Sequence, residues 1–185
     1  AVCKGREIYN LDADSGAIRW QFTTNDKMES SPAAHPDGLV FFCSSGGWVF
    51  AMNKMGRSAW QASVAGPPGY IQMVDAPVVL GADGLIYVTP RHGTIFAIDP
   101  KDGKINWSHS IGGQGVGINP VTVTPDGYVF ARNLQGVLVG LSPEGKMLWQ
   151  VKGSNRAPFS PPSCFGKDRL IVGIGPDLTT FQIKT

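Results

Sequence analysis

The 185-residue sequence has no long apolar run, no excess of one charge and no pairing pattern among its cysteines. No apolar run approaches the ~20 residues that a transmembrane helix needs, so no membrane-spanning segment is predicted. Basic residues exceed acidic ones only by 16 to 14, and no basic run is interleaved with aromatic residues. A nucleic-acid partner is therefore not expected.

The few cysteines and histidines are typical of neither a disulfide framework nor a metal site. The cysteines, which we interpret as buried free thiols, are odd in number and without CxxC spacing: Cys3, Cys43 and Cys164. The histidines, which we expect in turns or on the surface, stand far apart at His35, His92 and His109. No catalytic residue, metal ligand or cofactor is predicted.

The chain begins with Ala1 rather than Met, and no leader with a charged segment and an apolar core opens it. Two interpretations stay open, removal of a leader or a piece of a longer polypeptide. The compartment is not determined by these observations. A soluble extracytoplasmic protein, periplasmic or secreted, is one expectation.

Glycine (24) and proline (14) are abundant, and charged residues make up only 16% of the chain. This composition favours many short strands joined by turns. One pattern recurs four times, a β-rich stretch, a tight turn with Gly, and a Trp four residues after that Gly. The four pairs are Gly16 and Trp20, Gly56 and Trp60, Gly103 and Trp107, and Gly145 and Trp149. The glycines are 40, 47 and 42 positions apart, and a period near forty predicts stacked units such as propeller blades.

The clearest copy of this pattern runs from Thr94 to Trp107, with Asp99 at the start of the turn. Its first strand is apolar at nearly every position, which indicates burial of both faces between stacked sheets. The turn glycine supplies the positive φ that a short hairpin needs. Each Trp is expected to fill the seam between neighbouring units, where such a ring buries roughly 150–250 Å².

A second pattern precedes each hairpin, in which Pro opens a strand, Asp-Gly turns it, and a β-rich strand follows. The two patterns together predict four antiparallel strands per unit, in an up-and-down meander typical of a propeller blade. The expected fold is an all-β propeller portion with three complete units and partial units at both ends. The approximate unit boundaries are 1–24, 25–65, 66–111, 112–153 and 154–185, within one domain or segment. Such a partial ring is expected to expose two apolar blade faces unless something covers them.

The frame from Ile95 to Trp107 resembles the PQQ-like, quinoprotein-type β-propeller repeat, on the match of Ala97, Asp99, Gly103 and Trp107. Two copies depart from it, with Asn53 and Ser142 in place of Asp and Gly140 in place of Ala. Propellers of this type close with about seven or eight blades, so the resemblance implies that the chain forms part of a larger ring.

The resemblance leaves three functional classes open. The first, which we favour, is a non-catalytic scaffold that binds a protein partner or the remaining blades of a larger propeller. The second is a small-ligand or glycan binder that uses the mouth of the ring. The third is a fragment of a quinone-dependent dehydrogenase, a class that uses adjacent cysteines in a disulfide, a Trp stacked on the quinone and a calcium site. No two cysteines are adjacent in this sequence.

Candidate binding residues lie in the segments that vary between units, because recognition is usually found where loops differ on a constant scaffold. These segments are the turns between the second and third strands and the links between units. The candidates are Tyr70, Ile71, Gln72, Arg91, His92, Gln114, Asn155, Arg156 and Phe159. The alternative interpretation is that Tyr70 and Phe159 only fill the crossings between units and that the arginines are solvated.

Overall fold

A computed structural model describes residues 1–112, 117, 119–153, 161–165, 169–174 and 177–182. All regular secondary structure in these residues is β-strand. The described part of the chain accordingly has no helix long and apolar enough to cross a membrane.

The described strands form five sheets, in which each strand pairs antiparallel with its neighbour in the sequence. The first sheet contains β1 (Val2–Lys4), β2 (Glu7–Leu11) and β3 (Ile18–Thr23). The second contains β4 (Ala33–Ala34), β5 (Val40–Cys43), β6 (Trp48–Met52) and β7 (Ser58–Ser63). The third contains β8 (Val79–Leu80), β9 (Ile86–Val88), β10 (Thr94–Ile98) and β11 (Ile105–Ser110). The fourth contains β12 (Thr122–Val123), β13 (Val129–Arg132), β14 (Val137–Leu141) and β15 (Met147–Lys152). The fifth contains β16 (Ser163–Phe165), β17 (Arg169–Ile174) and β18 (Asp177–Gln182).

Three four-stranded antiparallel sheets with a three-stranded sheet at each end confirm the predicted all-β class and its blade-like units. We name the strands of a complete sheet a to d in chain order. The first sheet then holds strands b, c and d, and the fifth holds a, b and c. The exact unit boundaries stay a prediction.

The core lies between neighbouring sheets and is built from the b and c strands. Every residue of β5 and four of the five residues of β10 are buried. Residues on one face of a strand pack toward the preceding sheet and those on the other face toward the following one, because side chains alternate along a strand. The d strands are the most exposed, as in β7 and β11.

The repeated tryptophans connect each sheet to the next one. Trp20, Trp60, Trp107 and Trp149 each pack against an apolar cluster shared with the following sheet. Three of them also donate an indole hydrogen bond to a backbone carbonyl in the c–d turn of that sheet. The donors and acceptors are Trp20 and Lys54 (3.1 Å), Trp60 and Pro100 (2.9 Å), and Trp107 and Pro143 (2.8 Å).

The turn glycine is required at this contact for two reasons. Gly103 has a φ of 76°, a backbone conformation that residues with a side chain rarely adopt. A Cβ at this position would also stand 2.6 Å from the ring of Trp60. The same relation joins Gly145 to Trp107, with a Cβ at 2.5 Å. The turn and the docking of the preceding sheet therefore depend on one residue.

The departures from the repeat pattern keep the geometry of the c–d turn. Asn53 Oδ1 accepts a hydrogen bond from the backbone N–H of Met55 at 2.9 Å, as Asp99 Oδ1 accepts one from Lys101 at 2.8 Å. Ser142 is hydrogen-bonded in the same way through its hydroxyl. Each is a short polar side chain that satisfies the backbone of its own turn.

The outward face of the first sheet has a polar group at its centre, and Val2, Leu11 and Ile18 are exposed around it, so the apolar face expected at this end is present only in part. Tyr9 donates a hydrogen bond to one carboxylate oxygen of Glu7 at 2.5 Å, and Gln21 donates one to the other oxygen at 2.9 Å. Ile8, between them in the sequence, points the other way into the core. Polar groups that satisfy one another can face water at little cost.

We predict that Trp107→Ala lowers the free energy of unfolding by about 3 kcal/mol, because it removes a ring packed between two sheets. Trp107→Phe keeps an aromatic ring but loses the hydrogen bond to Pro143, so it should cost an intermediate amount. Urea denaturation followed by circular dichroism measures both. Trp48→Ala is the matched control, since Trp48 is 37% exposed and should cost less than half as much. Equal losses for Trp107→Ala and Trp48→Ala would contradict the docking role.

Candidate protein-binding surface

The b–c turns and the d–a links lie at one end of the sheets, which we call the link end. Three b–c turns have the same hydrogen bond, from the N–H of the closing glycine to the carbonyl three residues earlier. The pairs are Gly47 and Ser44 (3.2 Å), Gly93 and Pro90 (3.1 Å), and Gly136 and Asn133 (3.1 Å). The turns therefore present their second and third residues in equivalent positions.

Each of these turns is also hydrogen-bonded to the link that precedes its sheet. The turn residues Ser45, Arg91 and Leu134 occupy equivalent positions. Their backbone N–H groups donate to carbonyls of the links, at Lys27 (2.7 Å), Met73 (2.8 Å) and Gly117 (3.2 Å), respectively. Because main-chain bonds fix the links to the turns, the link end forms a surface of defined geometry.

The longest described link, residues 64–75, is folded around the side chain of Gln72. The amide oxygen of Gln72 accepts a hydrogen bond from Gly66 N–H at 2.6 Å, and its amide nitrogen donates to the carbonyl of Tyr70 at 2.9 Å. These bonds draw the start and the end of the link together. Gln72 was predicted as a binding residue, but its amide is occupied within the link.

The imidazole of His92 packs against the inner side of the same link. This position corrects the prediction that His92 contacts a partner. The side chain is only 3% exposed. Its Nε2 is 2.9 Å from the carbonyl oxygen of Val64, and its ring lies edge-on to Phe96. A Cβ on Gly66 would stand 2.9 Å from the imidazole, so the link passes directly over the ring. His92 can shape the surface, but a partner cannot reach it.

Tyr70 and Ile71 are carried at the tip of this supported link. Ile71 is 46% exposed, and Tyr70 is half-buried. Leu134, at the exposed position of the third b–c turn, is 42% exposed and was not predicted. An isolated leucine in the stretch Asn133-Leu-Gln-Gly136 gives no sequence signal beyond being apolar in a turn. Large apolar side chains on a rigid framework are suited to partner binding.

Arg91 lies beside Leu134 and is paired within the chain. It donates two hydrogen bonds to one carboxylate oxygen of Asp75, from Nε at 2.9 Å and from Nη2 at 2.5 Å. These bonds raise the pKa of the Arg91 guanidinium above its ordinary value. Asp75 and Arg91 line a cleft of about 370 Å³ that also includes Asn119, Pro120 and Leu134. The cleft therefore combines an ion pair with an exposed apolar side chain.

Four of the predicted binding residues fall outside the described residues. They are Gln114, Asn155, Arg156 and Phe159. Their part in binding stays a prediction.

The described residues contain no cluster of three or more His, Cys, Asp or Glu side chains that could hold a metal ion.

The thiols are poorly suited to nucleophilic chemistry. Burial raises the pKa of Cys43 to about 12, although a hydrogen bond with Ser30 opposes the shift, and burial also raises the pKa values of Cys3 and Cys164. A thiol with a raised pKa is mostly protonated at neutral pH and reacts slowly.

Comparison with known proteins relates this arrangement to a family. The family model described as outer membrane protein assembly factor BamB matches residues 2–161. The chain is 27% identical over 153 residues to outer membrane protein assembly factor BamB of Moranella endobia (strain PCIT), covering 77% of this chain and 39% of that protein. It is 28% identical to putative dehydrogenase XoxF of Paracoccus denitrificans, covering 54% of this chain and 18% of that protein.

A solved structure supports the same fold. BamB from Moraxella catarrhalis superposes with a TM-score of 0.77 at 20% identity, covering 96% of this chain and 55% of that one. At that identity the likeness shows the fold alone. The chain spans well under half the length of the curated relatives that it matches.

We predict that Gln72→Ala loosens the link without unfolding the sheets. The Gly66 N–H loses its acceptor, and a hydrogen bond worth about 1 kcal/mol corresponds to roughly fivefold faster amide exchange. Hydrogen exchange resolved at Gly66 measures this effect. Gln135→Ala removes an exposed glutamine from a b–c turn at the same end of the sheets and serves as the control. Unchanged exchange at Gly66 in Gln72→Ala would show that the side chain does not hold the link.

Proposed function

Because the chain belongs to the family described as outer membrane protein assembly factor BamB, we propose that it is a non-catalytic β-propeller scaffold that binds protein partners in outer membrane protein assembly. The proposed contact surface comprises Tyr70, Ile71, Arg91 and Leu134 at the link end. A role in outer membrane protein assembly implies an extracytoplasmic location, in the periplasm. We also propose that further blades complete the propeller to which this chain contributes.

The observation that carries the proposal is the support given to Tyr70 and Ile71. Gln72 and His92 hold the link from inside while the two apolar residues remain accessible. A partner that covers preorganised side chains loses less conformational entropy on binding than one that must first order them. Tyr and Arg are also among the residues that contribute most at protein interfaces.

The cleft beside Arg91 favours a second candidate, a small ligand or glycan at the mouth of the ring. Its volume of about 370 Å³ lies at the low end of the ~300–1,000 Å³ typical of ligand sites. Asp75, Arg91 and Asn119 would supply polar contacts. The ion pair between Asp75 and Arg91 already satisfies the two charged groups, so we rank this candidate below the scaffold.

We predict that Tyr70→Ala and Ile71→Ala each weaken partner capture by about 2 kcal/mol, near thirtyfold, as expected for central interface residues. The thermal midpoint should stay nearly unchanged, because both side chains lie at the tip of a link. Capture is measured by photo-crosslinking from position 134, which is exposed on the same proposed surface, in the native cell envelope, with the adduct identified by mass spectrometry. The proposal requires the adduct to be a protein of outer membrane protein assembly.

Asp126→Ala is the matched control, because Asp126 is exposed in an a–b turn at the opposite end of the sheets. It should capture partners as well as the parent chain does. If the substitutions at Asp126 and at the equivalent Asp37 and Asp83 reduced capture instead, the binding surface would lie at that other end.

For the dehydrogenase alternative, we predict no thermal shift when PQQ and calcium are added together. A ligand that binds only the folded chain stabilises it by RT ln(1 + [L]/Kd), about 2.7 kcal/mol at a hundred times Kd. Differential scanning fluorimetry and quinone absorbance after desalting measure the two consequences of binding. A saturable shift with retained absorbance would favour the quinone-dependent class over the scaffold.

A further inference from the structure

A groove opens at the link end between β3 of the first sheet and strands β6 and β7 of the second sheet. It has a volume of about 330 Å³. The residues that line it are Phe22, Thr23, Thr24, Asn25, Asp26, Trp48, Phe50 and Gln61. It is separate from the link of residues 64–75 and from the cleft beside Arg91, which share none of these residues.

The floor of the groove is aromatic and its rim is an exposed tryptophan. Phe22 contacts Phe42 and Phe50 with ring centroids 6.2 Å and 6.1 Å away, and Phe42 stacks on Phe50 at 5.3 Å. Trp48 is 37% exposed. Among the described residues its indole ring has no hydrogen bond and no ring contact, and only its backbone is bonded, to Ser44 in the turn. Its indole therefore stands available beside an apolar floor.

The equivalent position between the second and third sheets is closed. The strand registers make His92 equivalent to Gly46, Phe96 to Phe50 and Thr94 to Trp48. There the imidazole of His92 lies edge-on to Phe96 at 5.9 Å and covers it.

Gly46 has no side chain to cover Phe50 in this way. The link beside Gly46 also differs from the link beside His92. It places the side chain of Asp26 against the turn, where the other link places the backbone of Gly66 against the imidazole. A Cβ on Gly46 would stand 2.2 Å from a carboxylate oxygen of Asp26. The same frame therefore leaves a groove at one junction and a buried ring at the next.

Asp26 is the one charged residue among the eight that line the groove. Its Oδ2 accepts a long hydrogen bond from the hydroxyl of Ser44 at 3.4 Å, and no described residue donates to Oδ1. The carboxylate thus has acceptor capacity to offer an occupant. Its negative charge is complementary to a cation.

From this combination we propose that the groove binds a short extended segment of a protein partner that has a large apolar side chain next to Lys or Arg. The apolar side chain rests on Phe22 and Phe50, and the cationic group pairs with Asp26. The exposed face of Trp48 adds an attraction for the same cation, as tryptophan is the best aromatic partner for one. The volume suits one such side chain with its backbone better than a large cofactor.

This second site goes beyond the proposed function and does not depend on the link of residues 64–75. The experiment labels the chain at its native length with 5-fluorotryptophan and titrates it with acetylated, amidated Ala-Phe-Arg-Ala. Two further probes are Ala-Phe-Glu-Ala, which reverses the charge, and Ala-Ala-Arg-Ala, which lacks the ring. The fluorine signal of Trp48 is assigned with Trp48→Phe.

We expect a saturable shift of the Trp48 signal with the Phe-Arg probe and at least about tenfold weaker binding of the Phe-Glu probe, because like charges oppose. Asp26→Asn should weaken the binding of the Phe-Arg probe about threefold, which is the effect expected from the loss of one exposed ion pair. Lys27→Gln changes the neighbouring charge outside the groove and should have no comparable effect. Tyr70→Ala should bind the probe as the parent chain does, which separates this site from the proposed scaffold surface.

Gly46→His tests the groove by filling it as His92 fills the next junction. Gly46 has no positive φ, and the atom in its way is the mobile end of Asp26, so the backbone accepts a side chain there. The variant should keep the circular dichroism spectrum and lose the shift. Equal binding of all three probes, or unchanged binding by both Asp26→Asn and Gly46→His, would overturn the proposal.

Discussion

The docking of one tryptophan on the next sheet's turn is the contact on which the rest of the structure depends. A four-stranded sheet of this size cannot bury its own apolar faces, so each sheet requires its neighbour. The Trp60 ring fills the seam, and its indole N–H satisfies the Pro100 carbonyl that the seam would otherwise desolvate. Gly103 lets the ring approach because no Cβ stands in the way. Packing, hydrogen bonding and turn geometry thus meet at one place in each repeat.

Because this contact recurs, the fold could be predicted from the sequence alone. Period, turn chemistry and strand pattern are local features, and they agree with one another in every copy. Substitutions such as Asn53 for Asp did not obscure the repeat, since the side-chain oxygen still accepts a backbone N–H. The polar group at the centre of the outward face of the first sheet was harder to foresee. It depends on Glu7, Tyr9 and Gln21 pointing to one side together, and that becomes evident only with the strand register.

The sequence predicts which end of the sheets carries the variable loops, but it does not predict the role of each residue in them. Tyr70 and Ile71 lie at the tip of the longest link, as length variation suggested. His92 and Gln72 are polar residues in a turn and a link, which favours exposure, yet both bond to backbone of residues 64–70. The partner of His92 is set by how the sheets stack, because Val64 is 28 residues away. The partners of Gln72 lie within its own link and follow from how that link folds, which no sequence pattern indicates. Leu134 shows the converse, an apolar residue left exposed because its turn points to solvent.

The two neighbouring junctions show how a repeated frame presents different side-chain chemistry at equivalent positions. Gly46 and His92 occupy the same place in two b–c turns, over Phe50 and Phe96, respectively. Where the imidazole is present, it covers the ring of Phe96 and contacts the carbonyl of Val64 in the link. Its contacts are therefore made within the chain. Where glycine is present, the aromatic floor and the carboxylate of Asp26 remain available to another molecule. Neither arrangement disturbs the tryptophan docking, because that contact lies at the opposite end of the same strands. Binding chemistry at the link end can therefore vary from one junction to the next while the seams that hold the sheets together stay constant.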